Sequence, residues 1–476
     1  MLFNSWEFIL FFIFTSVSYY SIDYKYRTGF LLGCSYIFYI YWSFKYAIIM
    51  FFITIINYTS GLLIVNSKDV RYKKIALFFG IFFSLCPLLY FKYSNFFITN
   101  LNLFLINSNY SQINLNNLIL PVGISFFTFQ ALSYTIDVYF QKIKVEKNLI
   151  NLSAFISFFP QLVAGPIEKS SNLLHQFNKK NDFNLFLSLE GSKLFIWGLF
   201  KKVVVADRLA IYVDRIYDNP DLYYGPTLIV ATIFFAFQIY CDFSGYSDMA
   251  IGLAKILGFK LMQNFNFPYF ATSISQFWKR WHISLSSWFS NYVYKPLGGN
   301  RLTIIKWIRN ISITFIISGF WHGANWTFII WGFIHSLYYF LERLFIITFN
   351  TKFLNRIRGN PIYNFLCTGV IFLSVCYAWI FFRANTVTDA LLITRKIFLD
   401  SYDSFYMGSS TVTFLLSSFF ILVLIFVDYL QFTNIFKSSY INKELKVSMQ
   451  IIWYALLLIS IASLGISSNS FIYFQF

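Results

Sequence analysis

The sequence predicts an all-α polytopic integral membrane protein, and three observations carry that reading. Of 476 residues, 58% are hydrophobic and only 12% are charged, whereas a soluble domain of this size carries roughly a quarter charged residues. Apolar runs approaching the ~20 residues that cross a bilayer recur along the chain, and mean hydropathy is +0.60. The Lys and Arg residues behind the formal net charge of +17 gather in short loops between those runs. That is the positive-inside pattern, not the ordered basic surface of a nucleic-acid reader. Five dispersed cysteines argue against a disulfide framework, and no basic n-region or cleavage site marks a signal peptide.

The elements follow in order. Spans are expected at Trp6–Tyr20, Thr28–Ser43, Tyr46–Asn66 and Ile75–Phe91. Lys92–Asn117 is rich in Asn and Ser, nearly uncharged, and reads as a long loop; Leu118–Phe140 crosses back. Basic loops at 21–27, 67–74 and 141–148 place those segments in the cytoplasm and 92–117 outside. Leu149–Ile167 is apolar but contains Pro160, Gly165 and Pro166. Proline breaks a helix, so a re-entrant dip is expected, tolerated only where protein surrounds it. Leu185–Tyr217 reads as an interfacial or partly buried helix, and Thr227–Phe259 as a span with a polar centre at Cys241–Asp248. Phe265–Asn300 is amphipathic and aromatic; Ile311–Leu344 reads as one apolar stretch interrupted by polar residues. Later spans are expected at Asn364–Phe382, Thr411–Tyr429 and Ile451–Ser468, with basic connections at Lys352–Arg358 and Lys437–Lys446. The total is roughly ten to twelve spans, since broken helices blur the count. One membrane domain covers the chain: N-terminal spans over 1–117, a core over 118–345 and C-terminal spans over 346–476.

Chemistry concentrates in Trp321-His322-Gly323-Ala324-Asn325-Trp326. Ionisable groups at bilayer depth are costly and mark functional sites, and a His takes and returns protons near neutral pH. On a continuous helix, Asn325 and Trp326 share the face of His322. His282 lies in Gln276–Trp288 among Trp278, Lys279, Arg280, Trp281 and Ser284. That run reads either as an aromatic belt with snorkelling cations or as part of the pocket of His322, with Arg280 on a substrate phosphate. His335 reads as structural and His175 as solvated. Asp242 and Asp248 need partners at depth: a Lys or Arg from the basic helices, or a substrate. No His-Glu-x-x-His, Cys-x-x-Cys, Gly-rich nucleotide loop or Gly-x-Ser-x-Gly elbow is present, so no metal site is expected.

Six stretches carry a resemblance: Pro121-Val-Gly-Ile-Ser-Phe-Phe-Thr-Phe-Gln130, Phe159-Pro-Gln-Leu-Val-Ala-Gly-Pro166, Cys241 to Ala250, Phe277 to Trp288, Pro296 to Arg301 and Phe320 to Trp326. Here the chain resembles the membrane-bound O-acyltransferases, and their bacterial alginate- and peptidoglycan-acetylating branch in particular. The resemblance implies a ring of spans around a central funnel open to both sides. It implies a catalytic His within a span, at His322, and a second His forty residues earlier, at His282. It implies cytoplasmic acetyl-CoA as acyl-donor substrate, no permanently bound cofactor, and an extracytoplasmic partner, a periplasmic or extracellular SGNH-type acetyltransferase, in the cell (inner) membrane setting. Arg280, Trp281, Ser284, Asn325, Trp326, Asp242 and Gln130 are then candidates for the substrate path. Lys201, Lys202, Lys279 and Arg301 are candidates for donor phosphates, against plain positive-inside anchoring. The aromatic ending Phe471–Phe476 also looks like endings in this branch. Peptidoglycan, alginate or another exopolysaccharide, and D-alanyl transfer to teichoic acid are alternative outcomes; a Phe-, Ile-, Asn-, Lys- and Tyr-rich composition leans toward peptidoglycan. A proton-coupled transporter using the same intramembrane His and Asp residues is the non-enzymatic alternative.

Overall fold

The computed structural model describes residues 1–163, 165–349, 360–400, 404–433, 447–466 and 471. Among the described residues every regular element is helical. The chain forms two compact units. The first, Met1–Phe195 with Met249–Met262, holds α1 (Trp6–Ser21), α2 (Tyr24–Ile40), α3 (Phe44–Asn66), α4 (Val70–Leu88), α5 (Ser94–Asn107), α6 (Ile124–Tyr139), α7 (Leu149–Ser157), the single turns α8 (Phe159–Leu162) and α9 (Ser170–Leu173), and the start of α10 (Leu185–Phe200). The second, Ile196–Asp248 with Gln263–Phe476, holds α11 (Asp207–Tyr217), most of α12 (Gly225–Ile256), α13 (Ile274–Arg280), α14 (Ile283–Phe289), α15 (Ile304–His322) and α16 (Trp326–Thr348). It ends with α17 (Pro361–Arg383), α18 (Val387–Leu399), α19 (Thr411–Phe432) and α20 (Val447–Leu464). The basic connections expected at Lys352–Arg358 and Lys437–Lys446 lie outside the described residues.

Seven helical segments among the described residues are long and apolar enough to cross a membrane, fewer than the sequence suggests. Length explains part of the difference: α1 and α6 have 16 residues and α2 has 17, short of the ~20 that a crossing needs. Helix α15 has 19 residues but carries Lys306 and Arg309 in its first half.

The expected loop at Lys92–Asn117 is a correction. Val70–Asn107 is one 38-residue helical segment, passing through a π-helical turn at Leu89–Tyr93. Only the residues beyond it are irregular, and its asparagines explain the composition. Asn95 donates to the Asn116 carbonyl and accepts from the Asn116 amide, each at 2.9 Å. Asn102 does the same with Ile113, each at 2.8 Å. A side-chain amide presents one donor and one acceptor, as a peptide does. These two amides therefore bind the returning chain to the helix as a neighbouring strand would.

The first unit shows why Leu149–Ile167 tolerates its prolines. Residues 151–163 are buried throughout, so the break between α7 and α8 is enclosed by protein, the condition for irregular backbone at depth. Gln130 on α6 and Gln161 both donate to the freed carbonyl of Phe155, the latter at 3.2 Å.

In the second unit α15 and α16 form a tight antiparallel pair joined by Gly323-Ala324-Asn325. A Cβ on Gly319 would lie 2.1 Å from the Phe328 carbonyl oxygen, and one on Gly332 2.3 Å from that of Phe315. Only glycine permits this approach, as at other close helix crossings in membranes. Ile311–Leu344 is therefore two helices, not one, and Asn325 and Trp326 do not continue the face of His322. We expect Gly319→Ala to push the pair apart, lowering the thermal unfolding midpoint of the purified protein. Gly369→Ala, whose Cβ meets nothing within 4 Å, should leave the midpoint unchanged. Equal midpoints for both variants would show that the close crossing is not needed.

Candidate active site

His322 is the last residue of α15 and His282 the N-cap of α14. The fold brings them together: their ring centroids stand 6.3 Å apart, with relative exposures of 3% and 0%. Aromatic edges and faces enclose both. His322 lies 5.0 Å from Trp321, 5.2 Å from Trp331 and 5.2 Å from Phe382. His282 meets Phe243 of α12 edge-on at 4.5 Å. Such packing fixes ring orientation and excludes water.

His282 adopts φ 43°, ψ 54°, a left-handed conformation that is uncommon outside glycine. Asn264 holds it there. Its carbonyl accepts from Ile283 N at 2.9 Å, and its Oδ1 accepts from Ser284 N at 3.2 Å and Ser284 Oγ at 2.6 Å. Its Nδ2 donates to Ser247 of α12 at 3.0 Å. Ser284 Oγ in turn lies 3.5 Å from His282 Nδ1. The neighbouring Asn266 N donates to the Arg280 carbonyl at 2.9 Å, so residues 264–266 clamp both sides of the bend. Sequence reading missed Asn264; it stands in Gln263-Asn264-Phe265-Asn266, which looks like any polar turn.

The buried charges of α12 are paired. A π-helical turn at Lys201–Ala206 continues α10. Lys202 Nζ lies 2.8 Å from Asp207 and 2.6 Å from Asp242, with all three side chains at most 4% exposed. Lys201 Nζ lies 2.7 Å from Asp248 and 2.8 Å from Ser244. A Cβ on Gly245 would sit 2.7 Å from the Gly198 carbonyl oxygen, so glycine lets α10 and α12 close on these pairs. Expected as donor-phosphate and substrate groups, Lys201, Lys202 and Asp242 instead engage one another and their neighbours. The reason is desolvation, which makes an unpaired buried charge far more costly than a paired one.

The remaining candidates separate. Asn325 caps α16, accepting from Thr327 N at 3.1 Å, and donates to the Asn385 carbonyl at 3.0 Å. Trp326 is 52% exposed. Trp281 is a core ring stacked on Phe277 at 5.5 Å and beside Trp379 at 5.1 Å. Arg280 lies over the Phe432 ring at 5.1 Å. Lys279 and Arg301 are exposed. Gln130 belongs to the first unit, on the Phe155 carbonyl. His335 accepts from Trp278 Nε1 at 3.3 Å and packs on Trp331 at 4.9 Å, a structural placement, and His175 is exposed. Phe471 is buried against Tyr246 at 4.5 Å and Phe243 at 5.8 Å; residues 472–476 lie outside the described residues.

Residues 48–383 match the family model of MBOAT, membrane-bound O-acyltransferase. The chain belongs to the membrane-bound O-acyltransferase family. As a member with seven candidate spans among its described residues, it is a multi-pass membrane protein and an O-acyltransferase. It is 39% identical over 382 residues to a probable alginate O-acetylase AlgI of Azotobacter vinelandii, covering 80% of this chain and 74% of the relative. It is 36% identical over 391 residues to the peptidoglycan O-acetyltransferase of Helicobacter pylori, covering 77% and 72%. A teichoic acid D-alanyltransferase of Bacillus subtilis is 30% identical over 293 residues, covering 57% and 70%.

In this O-acyltransferase, Asn264→Ala removes the acceptor for Ser284 and the tether to Ser247. Each buried hydrogen bond lost leaves a partner unsatisfied, at about 1–3 kcal/mol. We expect acyl transfer to fall about 10²-fold through kcat, with donor KM unchanged. Asn264→Asp keeps the acceptor and should restore part of the rate. Equal loss in both variants would reduce Asn264 to a structural role.

Proposed function

We propose that this protein moves acetyl groups from cytoplasmic acetyl-CoA to a hydroxyl on an extracytoplasmic acceptor, for O-acetylation of a cell-wall polysaccharide, with peptidoglycan first. The observation that carries the reading is the enclosed pair His282 and His322 in a membrane acyltransferase. Relatives named for acetyl transfer align over 77–80% of the chain, against 57% for the D-alanyl relative, which favours acetyl over alanyl. Alginate is the second reading, because the relative named for it is 39% identical.

In this mechanism His322 is the general base. It takes the proton of the acceptor hydroxyl as that oxygen attacks the thioester carbonyl. The C–O bond forms, the C–S bond breaks, and the departing thiolate receives the proton from the imidazolium. The aromatic surround keeps water, a competing acceptor, away. His282, fixed through Ser284 and Asn264, orients the acceptor or the carbonyl. With Lys201 and Lys202 ion-paired, exposed Arg301 is the cation we assign to the donor phosphates. The acceptor is a hydroxyl on an extracytoplasmic protein of the SGNH type, in a cell-membrane setting.

The test is consumption of acetyl-CoA by the purified protein, with acceptor proteins for peptidoglycan or alginate acetylation supplied in turn. Acetyl transfer to an acceptor supports the proposal; no consumption under any condition overturns it. A positioned base contributes about 10²–10⁴-fold, so His322→Ala should lose at least that much while keeping its unfolding midpoint. A variant with near-normal transfer would remove His322 from the role.

Lys202→Met separates the two readings of that lysine. It leaves Asp207 and Asp242 without their counter-ion, a loss of about 3–5 kcal/mol for a broken buried pair. We expect a lower unfolding midpoint with unchanged KM for acetyl-CoA. A raised KM at unchanged stability would return Lys202 to the donor phosphates.

A further inference from the structure

The second unit contains a cavity of about 820 Å³, walled by α13, α14 with the π-helical turn Ser290–Tyr294 that follows it, α15 and α16. The volume lies within the range of about 300–1,000 Å³ usual for ligand sites. Neither His282 nor His322 lines it. Its walls divide by chemistry. Phe289, Ile311, Phe315 and Ile346 are apolar, while Ser286, Ser287 and Ser290 present hydroxyls. Lys279 of α13 and Arg343 of α16 are exposed cations that also line it.

The antiparallel pairing orients the cavity. Gly319 meets Phe328 and Gly332 meets Phe315, so Arg343, late in α16, falls beside the start of α15, near Trp307. Ser318, one turn before His322, marks the opposite end. The cavity thus runs from a cationic, aromatic end toward apolar depth.

Its one acidic residue, Glu342, is already engaged: its carboxylate accepts from Ser275 N at 3.0 Å and from Ser275 Oγ. Among the described residues, no salt bridge or side-chain hydrogen bond engages Lys279 or Arg343. Two cations against one carboxylate leave one net positive charge on the wall. That balance suits a singly charged phosphodiester on an acyl chain better than a nucleotide carrying several phosphate charges. Basic pockets between membrane helices take acidic lipid headgroups, and Trp and Tyr favour headgroup depth.

We propose that this cavity binds one anionic phospholipid, its phosphate at Arg343 and Lys279 and one acyl chain along Phe289, Ile311 and Phe315. Acetyl-CoA shares the phosphate chemistry, so the experiment separates the two. The purified full chain is placed in bilayer discs of phosphatidylcholine with an equal share of phosphatidylglycerol, and retained lipid is read by native mass spectrometry. The expected result is one retained phosphatidylglycerol, not displaced by saturating acetyl-CoA. Arg343→Gln should reduce that retention about tenfold, equivalent to about 1.4 kcal/mol, with KM for acetyl-CoA unchanged. Thr314→Trp, which fills the cavity without altering charge, should lose it as well. Equal retention of both lipids by the unaltered protein overturns the proposal. So does displacement by acetyl-CoA together with a raised KM in Arg343→Gln, which assigns the cavity to the donor.

Discussion

Exclusion of water governs this structure. A polar group at bilayer depth or inside a packed helical unit has only protein to bond with, and leaving it unsatisfied is expensive. Three local arrangements follow. Asparagine side chains bind the chain leaving α5 as a backbone would. Two lysines and three aspartates around α12 are ion-paired with one another. Asn264 uses its donor and both of its acceptors within a few residues of His282. Each places polar chemistry where apolar packing alone would put none.

The pairing on α12 reaches the histidines through rigid parts. Asp242 and Ser244 tie the helix to Lys202 and Lys201, and the residue between them, Phe243, supplies the aromatic face against His282. Ser247, one turn on, receives Asn264. The ion pairs set the height and rotation of the helix that carries one wall of the candidate site. A lysine pointed at a free phosphate would do neither.

Much of the architecture was legible because apolar composition and helix length are coupled in a membrane. Thr411–Tyr429 as expected became Thr411–Phe432, and Tyr46–Asn66 became Phe44–Asn66. The buried break after α7 was readable from Pro160 and Gly165-Pro166, since proline leaves few alternatives. The break after His322 was not readable: Gly323-Ala324-Asn325 interrupts hydropathy only slightly, and the decisive fact is a backbone approach at Gly319 that no local pattern encodes. Lys92–Asn117 misled because Asn and Ser suggest a loop, whereas here the amides serve a long helix. His282 and His322 drew attention through a family resemblance and polarity at depth; Asn264 drew none, because its partners are distant in sequence and its neighbours resemble a turn.

The backbone at His282 sets stability against chemistry at one residue. Its left-handed conformation is comfortable for glycine and carries a steric cost for a residue with a Cβ. A library of variants at this position, selected only for heat resistance, would therefore be enriched in replacements without the ring. The most robust form of the protein would be one that had given up half of its histidine pair. With His282 in its proposed role, selection for durability and selection for turnover pull this residue in opposite directions.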